Sequence, residues 1–118
     1  MQQTDIKKTN YIALPGLKPG VKFYGSKSAE SIIETVILFL GVKKDSLKEK
    51  SRLRHIVEAR QISMFLIKKH TNLSLTEIGN LFGGRDHTTS IHSINKVQDM
   101  IDTEPQFKQR LLLIENRL

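Results

Sequence analysis

The sequence contains neither cysteine nor tryptophan, and its aromatic residues are two tyrosines and five phenylalanines. Without cysteine the chain can form no disulfide framework and no thiolate zinc site. The longest uninterrupted apolar run, Val36–Leu40, is far shorter than the roughly 20 apolar residues that a helix needs to cross a bilayer. Lys7 and Lys8 are not followed by the apolar core of a signal peptide. These absences predict a cytoplasmic protein without a membrane-spanning segment.

Positive charge is concentrated in the middle of the chain. The 19 lysines and arginines exceed the 12 acidic residues and give a net charge of +7. Residues 41–70 hold nine basic and three acidic residues, a net of +6, whereas residues 1–40 carry +2 and residues 71–118 carry −1. A local basic patch attracts polyanions such as nucleic acid or an acidic membrane surface. Charge alone leaves open the alternative that the patch is an ordinary solvated face.

The first 27 residues differ in composition from the rest of the chain. They contain five residues that favour turns and interrupt regular structure, namely Pro15, Gly16, Pro19, Gly20 and Gly25. Two short apolar stretches flank the PGLKPG segment, a pattern compatible with a small hairpin or an extended arm. We therefore expect an irregular N-terminal arm over residues 1–27, dispensable for folding, and a single domain over residues 28–118.

From Ser28 onwards the apolar residues repeat at helical spacing, and no segment favours a strand. Ser28 is placed to cap a first helix, and Gly41 suits its C-terminal end. The predicted helical segments are residues 29–40, one turn at Asp45–Lys48, Ile56–His70, Leu75–Phe82, His87–Asp102 and Gln106–Arg117. The residues of the His87–Asp102 helix expected to face the core are Ile91, Ile94, Val97 and Ile101. The sequence therefore predicts an all-α, multi-helix domain.

A short helix, a Gly-Gly turn and a longer helix form the outline of a helix-turn-helix. Ser74 and Glu77 have the spacing of a capping box at the start of the short helix, and Asp86 is placed to cap the longer one. In this motif the first residues of the second helix face base edges in the major groove. Here they read Arg85-Asp86-His87-Thr88-Thr89. Their side chains suit base edges and phosphates, although helix pairs of this outline also occur in bundles that bind nothing.

The segment from Ala59 to Val97 resembles a known DNA-binding family. It reads ARQISMFLIKKHTNLSLTEIGNLFGGRDHTTSIHSINKV and is similar to the C-terminal domain of the bacterial replication initiator DnaA, whose DNA-binding signature is GGRDHTT. The resemblance extends from about Ser28 to the C-terminus. It implies a Trp-repressor-like helix-turn-helix domain that binds the double-stranded DnaA box, TTATNCACA, in a sequence-specific manner.

The resemblance also implies roles for individual residues. The side chains expected in the major groove are Thr76, Asp86, His87 and Thr88. Arg52 is expected in the minor groove, which agrees with its place in a basic stretch before a helix, since arginine favours narrow A·T-rich grooves. The residues expected at the phosphate backbone are Lys50, Arg54, Arg60, Gln61, Arg85, Thr89 and Lys96.

Three positions depart from the family's pattern. Thr76 replaces a proline, although the threonine methyl group can also touch thymine. Ser90 replaces an aliphatic residue, which predicts looser packing at the start of the recognition helix. Glu58 replaces a residue that is often basic, which predicts a slightly weaker positive patch.

No enzymatic, metal or nucleotide site is predicted. His87 and His92 are five residues apart, a spacing that does not place two imidazoles on one helix face. The phosphate-binding pattern GxxxxGK[ST] does not occur. We therefore expect no cofactor, no ATP binding and no origin unwinding by this chain alone. His92 is expected to pack inside the domain, and His55 and His70 to lie on its surface.

The leading hypothesis is sequence-specific binding to double-stranded DNA, with a role in the initiation of DNA replication or its regulation, in the cytoplasm at the nucleoid. Two alternatives remain open. One is a protein–protein adapter for replication proteins, and the other is an accessory DNA-targeting module of a mobile element, in transposition or transcription regulation. The basic stretch and the GGRDHTT turn favour DNA over the adapter. We expect no membrane partner and no nucleotide partner.

Overall fold

The computed structural model describes residues 28–118, and over this range the chain folds into α-helices without a β-strand. The elements are α1 (Ala29–Leu40), a 3₁₀ turn (Lys44–Lys48), α2 (Arg54–His70), α3 (Leu75–Leu81), α4 (His87–Thr103) and α5 (Pro105–Glu115). The predicted all-α class is confirmed. None of the described helices combines the length and the apolar character needed to cross a membrane. The arm or hairpin expected for residues 1–27 lies outside the described residues.

Local hydrogen bonds begin and end two helices where the sequence predicts them. The Ser28 hydroxyl accepts from the backbone N–H of Ser31 at 3.2 Å, and Gly41 ends α1 in the left-handed region, at φ 70°. At the start of α3, the Ser74 hydroxyl accepts from the Glu77 N–H at 3.1 Å, and the Glu77 carboxylate accepts from the Ser74 N–H at 2.8 Å. The backbone and side-chain hydrogen bonds with Ser74 lower the pKa of the Glu77 carboxyl.

Helix α2 lies at the centre of the domain and packs against α1, α3, α4 and the 3₁₀ turn. Its buried apolar residues are Ile56, Ala59, Ile62, Met64, Leu66 and Ile67. Ile32 and Val36 of α1 and Ile114 of α5 are fully buried in the same core. Burial of each large apolar side chain stabilises a fold by about 1.5–3 kcal/mol. Helices α3 and α4 therefore pack against a central helix that is itself held by a large buried core.

Helix α4 faces the core through three of the four predicted residues. Val97 is buried and Ile94 and Ile101 are partly buried against the core, as expected, but Ile91 is 37% exposed. Ser90 and Ser93 are buried instead. The prediction for Ile91 is wrong because the start of α4 lies so close to α3 that only small side chains fit between the two helices.

Two histidine predictions are also wrong. His92 is exposed rather than packed inside, and the side chain of His70 is only 16% exposed. The Nε2 of His70 lies 2.6 Å from a carboxylate oxygen of Glu115, and the Nζ of Lys69 lies 2.8 Å from the same oxygen. Burial is the largest influence on the pKa of Glu115 and raises it, but the hydrogen bonds and charges of Lys69 and His70 outweigh burial and lower it. These contacts join the end of α2 to the end of α5.

Candidate nucleic-acid interface

The turn between α3 and α4 is built on two glycines. Gly83 and Gly84 lie in the left-handed region, at φ 84° and 74°, where a residue with a Cβ is strained. A Cβ on Gly83 would lie 2.4 Å from the carbonyl oxygen of Lys48, whereas a Cβ on Gly84 would meet nothing within 4 Å. The helix-turn-helix therefore approaches the end of the 3₁₀ turn closely, and glycine at position 83 permits that approach.

Helix α3 and the start of α4 are in direct contact. The backbone N–H of Arg85 donates to the Gly79 carbonyl at 2.9 Å, and a Cβ on Gly79 would lie 2.0 Å from the Arg85 carbonyl oxygen. The Ser90 hydroxyl donates to the Leu75 carbonyl at 3.1 Å. The expectation that Ser90 loosens this region is wrong, because its small side chain permits the close approach and adds a hydrogen bond between the helices.

The first turn of α4 presents the expected base-reading side chains to solvent. The side chains of Asp86 and His87 are 67% and 57% exposed, and Thr88 and Thr89 are exposed beside them. Asp86 occupies the N-cap position as predicted, but its side chain makes no capping hydrogen bond. Its Oδ1 lies 2.9 Å from the Nδ1 of His87 instead. Thr76 is exposed in the first turn of α3.

A basic loop, residues 49–53, connects the 3₁₀ turn to α2. Lys50 and Arg52 are exposed on this loop. A surface cavity of about 400 Å³ is lined by Arg52 together with Arg54, Gln61 and Lys96. The fold thus brings together four expected DNA contacts that come from the loop, from α2 and from α4.

Arg60 is the exception among the expected DNA contacts, because it is only 7% exposed. Its Nε donates to the Leu47 carbonyl at 3.1 Å, and its Nη2 donates to the carbonyls of Glu49 at 3.1 Å and Ser51 at 3.4 Å. Burial, and then the charge of Arg85, lower the pKa of Arg60. The guanidinium is directed at backbone carbonyls, so this geometry does not present Arg60 to a phosphate.

A second guanidinium reaches the same loop. The Nη2 of Arg85 donates to the Glu49 carbonyl at 2.8 Å, and its Nη1 donates to the Phe82 carbonyl. The Arg85 side chain is partly exposed, unlike that of Arg60. No spacing in the sequence indicates that Arg60 and Arg85 share a carbonyl, since one lies in α2 and the other precedes α4.

The acidic departure at Glu58 is compensated from α5. The Nη2 of Arg110 lies 2.6 Å from the Oε2 of Glu58, and the same guanidinium lies over the Phe107 ring, 5.7 Å from its centroid. The negative charge beside the basic loop is therefore paired. Within residues 28–118, no group of three or more His, Asp or Glu side chains is arranged to hold a metal ion.

Comparison with known proteins identifies the same segment. The family described as the bacterial dnaA protein helix-turn-helix matches residues 29–97. That range includes α1, α2, α3, the glycine turn, the basic loop and the first part of α4. The match therefore covers every residue named above as an expected DNA contact.

Three relatives described as chromosomal replication initiator protein DnaA are similar to this chain. The protein of Synechococcus sp. (strain JA-2-3B'a(2-13)) is 44% identical over 91 residues, which are 77% of this chain and 20% of that protein. The Enterococcus faecalis protein is 40% identical over 113 residues, 93% of this chain and 25% of that protein. The Chloroflexus aggregans protein is 37% identical over 91 residues, 77% of this chain and 19% of that protein.

The chain thus spans about a fifth to a quarter of the length of these curated relatives. The family match extends over more than half of the chain and coincides with the helices and the glycine turn of the helix-turn-helix. On both grounds, the chain belongs to the bacterial DnaA helix-turn-helix family.

Proposed function

We propose that this domain binds double-stranded DNA in a sequence-specific manner at sites similar to the DnaA box, TTATNCACA. The observation that carries the proposal is the close approach of the glycine turn, at Gly83, to Lys48 at the end of the 3₁₀ turn. The exposed first turn of α4 follows the glycine turn, and the exposed basic loop follows Lys48. An α-helix fits the major groove of B-DNA, and an arginine on a neighbouring loop suits the adjacent minor groove.

In the major groove, Asp86, His87, Thr88 and Thr76 are the proposed base contacts. The Asp86 carboxylate can accept from a cytosine amino group, and each threonine offers a hydroxyl for a base and a methyl for thymine. The 2.9 Å contact between Asp86 and the Nδ1 of His87 restricts the orientation of the imidazole. If Nδ1 donates to the carboxylate, a neutral His87 presents an acceptor at Nε2, which suits the amino group of cytosine or adenine.

At the backbone, the proposed phosphate contacts are Lys50, Arg54, Gln61, Thr89 and Lys96. Lys50, Arg54, Thr89 and Lys96 are exposed, Gln61 is partly exposed, and Arg54, Gln61 and Lys96 line one cavity, which supports this assignment. Arg52 lines the same cavity and is proposed for the minor groove, where arginine responds to the narrow width of A·T-rich sequence. Contacts with phosphates release counterions, so binding is expected to weaken as salt increases.

The proposed biological role is in the initiation of DNA replication or its regulation. The printed name of the relatives, chromosomal replication initiator protein, supports this role. The described part of the chain contributes the DNA-binding step of that process. We propose no enzymatic activity for this domain.

The first test compares box and scrambled duplexes by fluorescence anisotropy, with the full chain and a series of salt concentrations. Specific binders typically exceed their non-specific affinity by about 10³-fold or more, and we expect a preference of that order for the box. Equal affinity for the two duplexes would contradict direct readout.

The same titration separates base contacts from phosphate contacts. His87→Ala should lower affinity for the box by about 1–3 kcal/mol and leave the scrambled duplex nearly unaffected, because only a base contact is lost. Lys50→Ala should weaken both duplexes equally and reduce the slope of log K against log salt by about one. If His87→Ala behaves like Lys50→Ala and keeps the preference for the box, α4 is not the element that reads sequence.

A further inference from the structure

The carbonyl oxygen of Glu49 is the point where two arginines from different parts of the fold meet. Arg60 comes from α2 and reaches this oxygen at 3.1 Å, and Arg85 comes from the turn before α4 and reaches it at 2.8 Å. Each arginine also donates to a second segment: Arg60 to Leu47 and Ser51, and Arg85 to Phe82. We call this pair, Arg60 and Arg85, the arginine clamp.

A backbone contact reinforces the clamp. The left-handed turn at Gly83 approaches the Lys48 carbonyl so closely that a Cβ would lie 2.4 Å from that oxygen. Lys48 directly precedes the basic loop. The loop is therefore attached at its start to the turn by Gly83, and at Glu49 to both α2 and the turn by the clamp.

We propose that Arg60 and Arg85 are positioning residues that hold the basic loop in a fixed position relative to the recognition helix α4. Arg52 then enters the minor groove at a set distance from the bases that α4 reads, and the two contacts act on one site in one register. This inference rests on the proposed binding of duplex DNA. It assigns the two arginines a role through the protein backbone, apart from the phosphate contacts that the family resemblance implies.

The geometry accounts for the choice of arginine. The backbone carbonyls of the basic loop lie outside any helix or strand, so donors that hold them in place come from other parts of the fold. A planar guanidinium carries five N–H donors in a fixed fork and so can serve two carbonyls in different segments at once. A lysine keeps the positive charge but offers a single nitrogen, which cannot span the carbonyls of Phe82 and Glu49 in the same way.

The decisive variant is therefore Arg85→Lys, which keeps the charge and removes the fork. Arg85 is partly exposed, so the variant is expected to fold, which circular dichroism would check. The matched control is Arg117→Lys, which makes the same exchange at an exposed position outside the proposed DNA contacts. If Arg85 acts only as a cation near a phosphate, both variants should behave like the original chain.

Limited trypsin digestion without DNA measures the loop directly, because Lys50 and Arg52 are cleavage sites within it. Cleavage at these two sites, mapped by mass spectrometry, should become about tenfold faster in Arg85→Lys, as expected for the loss of a hydrogen bond from a charged donor. The Arg117→Lys control should be cleaved within the loop at the original rate. Unchanged cleavage in Arg85→Lys would overturn the clamp.

Binding to box and scrambled duplexes then tests whether the clamp fixes the distance between Arg52 and the bases that α4 contacts. We expect Arg85→Lys to lose about tenfold of its preference for the box while keeping its salt slope, because the number of phosphate contacts is unchanged. Faster cleavage with full preference for the box would overturn the register role. If the original chain shows no preference for the box, the proposed function fails and the register role with it, whereas the clamp is still decided by the digestion.

A second pair of variants tests the contact between the glycine turn and the start of the loop without altering any charge. Gly83→Ala and Gly84→Ala both place a Cβ at a left-handed position, but only the first collides with the Lys48 carbonyl. We expect Gly83→Ala to accelerate cleavage at Lys50 and Arg52 more than Gly84→Ala does. Equal acceleration by the two variants would show that backbone strain, rather than the contact with the 3₁₀ turn, controls the loop.

Discussion

The recognition helix and the basic loop are both exposed, but the fold positions them by opposite means. Helix α4 packs closely against α3 because the residues at the contact, Gly79 and the buried Ser90, have little or no side chain. The basic loop is placed by the presence of two long side chains, Arg60 and Arg85, whose guanidinium groups bind its carbonyls. A helix satisfies most of its own backbone groups and needs only a close-fitting surface, whereas a loop needs donors from elsewhere.

This difference predicts that each element can be disturbed separately. Substitution of Ser90, which packs in the contact of α4 with α3, should alter the recognition helix and leave the loop protected from trypsin. Arg85→Lys, in the arginine clamp, should release the loop and leave the melting of the helices nearly intact, because Arg85 is partly exposed. Three further variants test this separation, from the largest expected effect on stability to the smallest.

Gly79→Ala should have the largest effect. Alanine favours a helix over glycine by about 1 kcal/mol, but a Cβ 2.0 Å from the Arg85 carbonyl oxygen forces α3 and the start of α4 apart. Overpacking of this kind typically costs about 1–3 kcal/mol and occasionally more. We therefore expect a net loss of up to about 2 kcal/mol in the free energy of unfolding. Thermal and denaturant unfolding followed by circular dichroism measure it.

The control for this variant is Gly41→Ala, where the backbone is left-handed but a Cβ would meet nothing within 4 Å. Strain alone should cost about 1–2 kcal/mol there. Gly79→Ala should also lose its preference for the box, whereas Gly41→Ala should keep it. If Gly41→Ala loses as much preference for the box as Gly79→Ala does, the contact between α3 and α4 does not position the recognition helix.

Ser90→Ala should have an intermediate effect. It removes the hydroxyl that donates to the Leu75 carbonyl at 3.1 Å, and loss of one such bond costs about 1 kcal/mol. Ser63 provides a matched control, because it is also fully buried but its hydroxyl has no hydrogen-bond partner among the described residues. Ser63→Ala should be neutral or stabilising. Equal destabilisation by both variants would contradict the role assigned to the Ser90 bond.

Glu115→Gln should have the smallest effect on stability, and Glu115 contacts neither the start of α4 nor the basic loop. Its folded-state pKa is lowered from the ordinary value of 4.5, so its contribution to stability is present above that value and is lost as the pH falls through the lower folded-state pKa. Between about pH 5 and about pH 3, the original chain should therefore lose more stability than Glu115→Gln. The difference should be about 1 kcal/mol or less, since Lys69, one of the two partners of Glu115, has a half-exposed side chain.

The contacts of Glu115 join α2 to α5 and involve neither the turn nor the basic loop. Glu115→Gln should therefore leave both the trypsin digestion of the loop and the preference for the box unchanged at neutral pH. A change in either measurement would show that the two reading elements respond to general destabilisation, and the proposed separation would fail.

Local patterns account for most of what could be predicted. The caps at Ser28 and Ser74 and the left-handed Gly41 depend on residues within a few positions of one another, and apolar periodicity placed every described helix. The prediction for Ile91 failed because periodicity cannot tell how close a neighbouring helix lies. Asp86 was correctly placed at the N-cap position, but its carboxylate contacts His87, since the nearest partner of an exposed side chain is not encoded by helix position.

The sequence by itself determined the helical class, the glycine turn and the exposed Asp86-His87-Thr88 group, because each depends on local backbone preferences and on a contiguous motif. It did not distinguish the arginines. Lys50, Arg52 and Arg54 are exposed on or beside the loop, whereas Arg60, only a few residues further on, is buried against it. Only the tertiary structure decided that difference, because it depends on which carbonyls α2 and the turn bring within reach of a guanidinium, and those contacts join residues far apart in the chain.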